Sequence, residues 1–389
     1  MKTRISPEAA LSLVGLASLA VYVLACTSFS PDDSQVLYPT YDTKAGDFGV
    51  GLYDRKTGRA TTLFLAQQPA SDGSRGELAL VRPQWLSDGR HILVAWVRDP
   101  GHDELDLAVV PQGQPGTTRF MHLEEIPEAG GQLARPLGVA EGRLFLQGGS
   151  NALVRVDLLT GEVERRPMPR KVIPYALPAQ DRVGYLAELE GTDQPGCEFG
   201  IITAQSFGLA PLARLQTDLS PDGLGLCAIS PDGKSAVVAA NDGEKAGQVL
   251  WFEDGTEKRR WRPFAGNDDV KFGHAAIAPV GRTAFVPFAR QAEGETNAVL
   301  GIIEVPLQGG ELLRTTLVRR VKGDDLERVL YFQPSVSHDG KTLAVASSYV
   351  AAGDDQMASE DCALFLVDLT DPERKVTRVP VPRPPRELD

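Results

Sequence analysis

One ten-residue pattern returns along this chain: a short apolar stretch, a Ser-Pro-Asp-Gly-like turn, then a run of β-branched and aliphatic residues. Its clearest copy is Ile229-Ser230-Pro231-Asp232-Gly233-Lys234-Ser235-Ala236-Val237-Val238. Phe29–Tyr38, Trp85–Val94, Ile277–Val286 and Val336–Val345 repeat it, and weaker copies lie at Val139–Leu146 and Pro178–Leu186. Aligned on the turn glycine, the copies fall at positions 33, 89, 142, 181, 233, 281 and 340, in steps of 56, 53, 39, 52, 48 and 59 residues. A period of that size is the signature of an array in which each unit cannot bury its apolar faces alone.

The turn chemistry is backbone chemistry. Proline presets φ at the first corner, aspartate bonds back to the chain, and glycine accepts positive φ. The apolar run that follows reads as a strand. Ile92-Leu93-Val94-Ala95-Trp96-Val97 is apolar at every position, so both faces of that strand must be covered. A further strand follows in every unit: Gly51–Asp54, Leu105–Val110, Leu153–Asp157, Phe199–Ile202, Val249–Phe252, Leu300–Val305 and Leu364–Asp368. Polar residues after each complete a hairpin to an outer strand. With 39 Gly and 28 Pro in 389 residues, turns outnumber anything that would sustain long helices. The expected fold is all-β, a seven-bladed β-propeller of four-stranded antiparallel blades over residues 27–382, with 383–389 a flexible tail. The ring is expected to close through a strand near Val376–Val381 or through residues just after Cys26, because an open array would leave edge strands bare.

Residues 1–25 stand apart. Lys2 and Arg4 precede an uncharged apolar run from Ala9 to Ala25, and the chain turns polar after Cys26. That layout is an export signal. Val23-Leu24-Ala25-Cys26 resembles a bacterial lipobox, although Leu24 stands where a small residue is usual. The resemblance implies lipidation of Cys26, which becomes the mature N-terminus, and hence a protein anchored in the cell envelope, in the outer membrane facing the periplasm. Ordinary cleavage and an uncleaved anchor are the alternatives; all three send residues 27–389 out of the cytoplasm.

The copies carrying Ser-Pro-Asp-Gly resemble the WD40-like propeller repeats of TolB-type periplasmic proteins and of prolyl oligopeptidases, over residues 29–370. The resemblance implies a fold and says little of function, because the shared motif is a turn. Neither the N-terminal α/β domain of TolB nor a C-terminal hydrolase domain is expected here, so TolB's partner contacts transfer to no residue.

The candidate residues divide accordingly. Asp32, Asp88, Asp232 and Asp339 recur at one turn position, and Asp54, Asp157 and Asp368 recur after the third strand; recurrence marks them as turn residues rather than catalysts. His91, His102, His122, His274 and His338 are scattered; His91 and His338 are expected to be solvated or capping. The acidic groups Asp99/Asp103/Glu104/Asp106, Asp268/Asp269, Asp324/Asp325 and Asp354/Asp355/Glu360/Asp361 could hold Ca²⁺, but none has EF-hand spacing and solvated loops are the expectation. No metal, cofactor or catalytic residue is expected otherwise. Arg165-Arg166-Pro167-Met168-Pro169-Arg170-Lys171 reads as a charged loop that could meet anionic lipid or an acidic partner. Cys197, Cys227 and Cys362 are expected to be free, largely buried thiols. The net charge of −12 argues against a nucleic-acid partner. The sequence thus points to a non-catalytic, envelope-anchored propeller that binds a protein or peptide. The alternative is a propeller hydrolase or lactonase with carboxylates and Ca²⁺ at the central mouth.

Overall fold

The computed structural model describes residues 25–42, 47–66, 80–97, 105–114, 117–123, 138–148, 152–169, 172–177, 182–188, 196–216, 227–230, 232–242, 245–264, 266, 268–279, 282–295, 297–322, 332–347 and 363–380. Seven antiparallel sheets follow one another in chain order, with four strands each from the inside outward. Blade 1 is Ser28–Phe29, Gln35–Asp42, Asp47–Asp54 and Arg59–Ala66. Blade 2 is Leu80–Trp85, His91–Val97, Leu105–Pro111 and Arg119–Leu123. Blade 3 is Gly138–Ala140, Arg143–Gly148, Ala152–Asp157 and Val163–Pro167. Blade 4 is Val172–Leu177, Arg182–Glu188, Gly196–Thr203 and Gly208–Gln216. Blade 5 is Cys227–Ile229, Ser235–Asp242, Lys245–Glu253 and Thr256–Trp261. In blade 6 the inner strand comes in two pieces, Asp269–Phe272 and Ala276–Ile277, both paired with Thr283–Gln291; Asn297–Pro306 and Leu313–Lys322 complete it. Blade 7 is Ser335–Val336, Thr342–Ser347, Ala363–Asp368 and Val376–Pro380. The two weak repeats are therefore full blades, the third and fourth.

Of the two expected routes of closure, the structure takes the one at Cys26 and the residue after it, not the one through Val376–Val381. Val376–Pro380 is the outer strand of blade 7 and pairs with that blade's own third strand. Among the described residues, neither end lends a strand to the other's four-stranded sheet. Instead Ala25-Cys26, just ahead of the inner strand of blade 1, runs parallel to Phe332-Gln333, just ahead of the inner strand of blade 7. The buried Thr27 hydroxyl sits beside this pair, 2.8 Å from Ser335 Oγ and 3.0 Å from the Ala344 carbonyl. Apolar packing seals the same junction: Phe29, Val36 and Tyr38 of blade 1 share one core with Leu343, Val345 and Leu364 of blade 7.

The all-apolar second strand of blade 2 is covered on both faces as its sequence demanded: Ile92, Leu93, Val94 and Ala95 are all buried. Equivalent cores join blades 2 and 3, 3 and 4, and 5 and 6. Around the rim, long polar side chains reach from one blade to the turn between the third and outer strands of the next. Arg155 of blade 3 donates to the Ala204 carbonyl of blade 4 at 2.8 Å and lies 5.1 Å over the Phe207 ring. Arg259 of blade 5 donates to Gly310 O of blade 6 at 2.7 Å. Between blades 6 and 7 the pairing is reversed in charge: Glu304 accepts two bonds from Arg374 at 2.7 and 3.0 Å. The basic run is thereby corrected. Val163–Pro167 is the outer strand of blade 3, Arg166 donates to Phe207 O at 2.6 Å, and Met168 is buried. The sequence suggested a loop because charge is dense there, but on an outer strand one face is free to carry it.

The turns between inner and second strands are built alike in blades 1, 5 and 7. Ser337 in blade 7 exchanges backbone bonds with Thr342 and Gly340, donates its hydroxyl to Asp339 at 2.7 Å, and accepts the buried Thr342 N–H at 2.9 Å. Ser30 and Ser230 do the same in their blades. Removing the hydroxyl leaves a buried N–H unpaired. Ser337→Ala is expected to cost about 1–3 kcal/mol in urea unfolding, and an unchanged midpoint would contradict the turn's role.

Candidate functional site

Antiparallel pairing within each blade sends every connection between inner and second strands, and between third and outer strands, to one face of the ring. The connections between second and third strands, and from one blade to the next, leave the other face. Among the described residues, the first face carries short turns, several of them locked by their own side chains. The Asp32 carboxylate accepts the Ser30 hydroxyl at 2.7 Å, the Ser34 hydroxyl at 2.7 Å and the Ser34 N–H at 3.1 Å. Asp232 and Asp339 repeat this with Ser230 and Lys234, and with Ser337 and Lys341. Asp88 takes the N–H groups of Arg90 and His91 and lies 2.6 Å from the His91 ring. Asp54, Asp157 and Asp368 each accept backbone N–H groups of the turn that follows them. The recurring aspartates are thus turn residues, as the repeat implied.

Hydrogen bonds to the ionised form hold these carboxyls low. The Ser30 hydroxyl and then Ser34 bring Asp32 down to about 2. The Ser230 and Ser337 hydroxyls lower Asp232 and Asp339 in the same way. A carboxyl lowered on folding stabilises the fold above its unfolded value, near 3.9, and ceases to as pH falls through its folded value. Stability is therefore expected to decline between about pH 4 and pH 2. Asp32→Asn should make that decline shallower; an identical slope would mean Asp32 is not lowered.

The opposite face presents different chemistry. In the sequence, its thirteen connections carry 23 Asp and Glu against 8 Lys and Arg, whereas those of the turn face carry 12 against 8. Most of the acidic clusters singled out from the sequence (Asp99, Asp103, Glu104, Asp324, Asp325, Asp354, Asp355, Glu360 and Asp361) belong to these connections and lie outside the described residues, as do His102, Cys362 and Arg170-Lys171. Beneath this face, at the neighbouring strand ends, sits a layer of buried polar side chains: Asp106, Glu198, Gln248 and Asp268 in blades 2, 4, 5 and 6. Glu198 accepts the Tyr185 hydroxyl at 2.9 Å and Arg214 Nε at 3.3 Å. Gln248 accepts from Arg260 at 3.3 Å, and Asp268 pairs with Arg290 Nε at 2.6 Å. Glu198 and Gln248 escaped the sequence reading; the available signal was a lone polar residue inside an otherwise apolar strand.

Glu198 and Asp268 are each held by an arginine of their own blade. A convergent group of carboxylates, which the enzymatic alternative needs, is not assembled among the described residues, nor is any group of three metal-ligating side chains. His274 is buried, and His122 lies opposite Asp106 in blade 2. His338 is partly exposed, and its ring also contacts Asp33 of blade 1. Cys197 lies within the third strand of blade 4 and Cys227 opens the inner strand of blade 5.

No family model and no curated protein matches the sequence. Solved structures do. The chain is similar to the structure of U3-55K, at 11% identity and TM-score 0.55, over 90% of this chain and 96% of that one. It is also similar to a protein from Lactobacillus plantarum, at 15% identity and TM-score 0.51 over 89% and 97%. A third likeness is to the WD40 repeats of RRP9, at 11% identity and TM-score 0.52 over 92% and 94%. At such identities the likeness establishes the fold, a WD40-like β-propeller.

Proposed function

We propose that this chain is an exported propeller lipoprotein, held through Cys26 in the outer membrane facing the periplasm, whose connection-bearing face binds a basic segment of another envelope protein or peptide. The observation that carries this reading is the difference between the two faces. One carries short turns which, in blades 1, 5 and 7, bond their polar groups to one another. The other gathers the chain's longer connections and its excess of carboxylates, 23 against 8 basic residues. Recognition belongs on connections that a rigid scaffold holds in place, and a field of one sign attracts partners of the other.

The position of Cys26 bears on the same reading. It precedes the inner strand of blade 1 at the connection-bearing end, one residue before the buried Thr27. Cleavage at the lipobox would remove Ala25 from its pairing with Phe332 and leave Cys26 opposite Gln333. At about 3.3 Å per residue, an acyl group on Cys26 leaves that face almost no slack from the bilayer. The partner is therefore one seated in, or lying on, the same membrane.

Two measurements test this. Cys26→Ala is expected to release the protein from membranes or to halt its maturation; a variant that still fractionates with membranes, with no acyl label in either form, contradicts the anchor. Affinity for an oligo-lysine peptide should fall steeply as salt rises from 50 to 300 mM, as exposed charge pairs require. Binding that is absent or indifferent to salt contradicts the acidic face as the recognition surface.

A further inference from the structure

Two residues break the turn formula at opposite ends of the chain, and they meet. Asp33 stands where other copies carry Gly89, Gly142, Gly233, Gly281 and Gly340. Its φ is 57°, a left-handed conformation that glycine adopts without cost and aspartate does not. His338 stands where Pro31, Pro231 and Pro279 stand in other copies. The backbone N–H of His338 donates to Asp33 Oδ1 at 2.8 Å, and the His338 ring Nδ1 lies 2.8 Å from the same oxygen. The N–H of Asp339 donates to Asp33 Oδ2 at 3.0 Å. One carboxylate of blade 1 therefore grips the turn of blade 7 at three nitrogens. Arg55 extends the grip: it donates to the Asp33 carbonyl at 2.7 Å and to Thr342 Oγ1 of blade 7 at 2.7 Å.

The junction between blades 1 and 2 shows what this arrangement replaces. There Gly89 of blade 2, at φ 62°, faces Pro31 of blade 1, and a Cβ on it would lie 3.4 Å from Pro31 Cγ. The glycine position of one blade thus rests against the proline position of the preceding blade. At the junction of blades 7 and 1 the same two positions hold Asp33 and His338, and van der Waals contact gives way to charge-assisted hydrogen bonds, which are the stronger kind. This is the one junction between blades that are not consecutive in the chain; the contacting residues are 305 apart in sequence. Blades 1 and 2 are tied by the connection 67–79, whereas nothing covalent ties 7 to 1 locally.

We infer that Asp33 and His338 are a matched pair that latches the ring at its only uncoupled junction, and that this seam, rather than any other junction, is where the ring opens. The two departures from the repeat are one device, and each makes sense only with the other.

Backbone preference and latch predict opposite signs, which makes the test sharp. Asp33→Gly suits the left-handed turn, so on local grounds alone it should tighten blade 1. The latch predicts instead that amide exchange at the seam strands, Gln35–Asp42 and Thr342–Ser347, speeds about 10- to 100-fold, the loss expected for a charge-assisted bond, while Arg143–Gly148 and Arg182–Glu188 keep their rates. His338→Pro alone should do the same. The double variant Asp33→Gly/His338→Pro rebuilds the Gly-Pro contact of the neighbouring junction, so its effect should be smaller than the product of the two single effects. Seam exchange that is unchanged, slowed, or raised equally in blades 3 and 4 by Asp33→Gly overturns the latch, and independent, multiplicative single effects overturn the pairing. Asp33→Asn, which keeps side-chain volume and one acceptor oxygen, should fall between wild type and Asp33→Gly.

Discussion

A four-stranded blade is apolar on both faces, and every other feature of this structure answers to that. Neither face can be left to water, so each blade needs a neighbour on both sides, and a ring is the arrangement in which all seven have one. Six of the seven junctions join consecutive blades. The seventh brings together segments about 300 residues apart and must offset the chain entropy of doing so with contacts alone. A shared apolar core, the two-residue parallel pairing of Ala25-Cys26 with Phe332-Gln333, the Thr27–Ser335 bond and the contacts of Asp33 and Arg55 with blade 7 all fall at that place.

The same logic distributes polar chemistry. On one face, turn aspartates bond to serine hydroxyls and backbone N–H groups within a few residues, which keeps hairpin geometry fixed and leaves those carboxylates committed to the scaffold. Around the rim, arginines reach the turn carbonyls of the next blade, and Glu304 with Arg374 fills the same role with the charges exchanged. What remains for recognition is the other face, with its acidic connections set over a layer of buried, arginine-paired carboxylates. A scaffold so evenly braced suits a protein that presents a surface.

Much of this was legible in the sequence, because turn chemistry is local. Turn residues at fixed offsets located the blades, a partial turn before an apolar run sufficing for the weak third and fourth, and recurrence at one position identified Asp32, Asp232 and Asp339 as turn residues. What escaped was long-range. The parallel pairing at Ala25-Cys26 depends on a partner three hundred residues away. His338 was expected to be solvated or capping, and Asp33 was one turn residue among others; only folding sets them side by side. Arg165-Arg166 read as a loop because charge density alone does not distinguish a loop from the free side of an outer strand. The lone Glu198 among Cys197, Phe199 and Gly200 was visible, but its tyrosine and arginine partners were not.

Closure of the ring at the junction of blades 7 and 1, by side chains and inner-strand edges, is tested most directly by a crosslink. Thr27 Oγ1 and Ser335 Oγ are 2.8 Å apart across the seam, so cysteines at these positions would face each other directly. Thr27→Cys/Ser335→Cys, oxidised mildly and mapped by peptide mass spectrometry, is predicted to yield a 27–335 disulfide within single chains, formed readily and without dimers. A variant that stays reduced, or that links only between chains, would contradict a closed seven-bladed ring with blades 1 and 7 as neighbours.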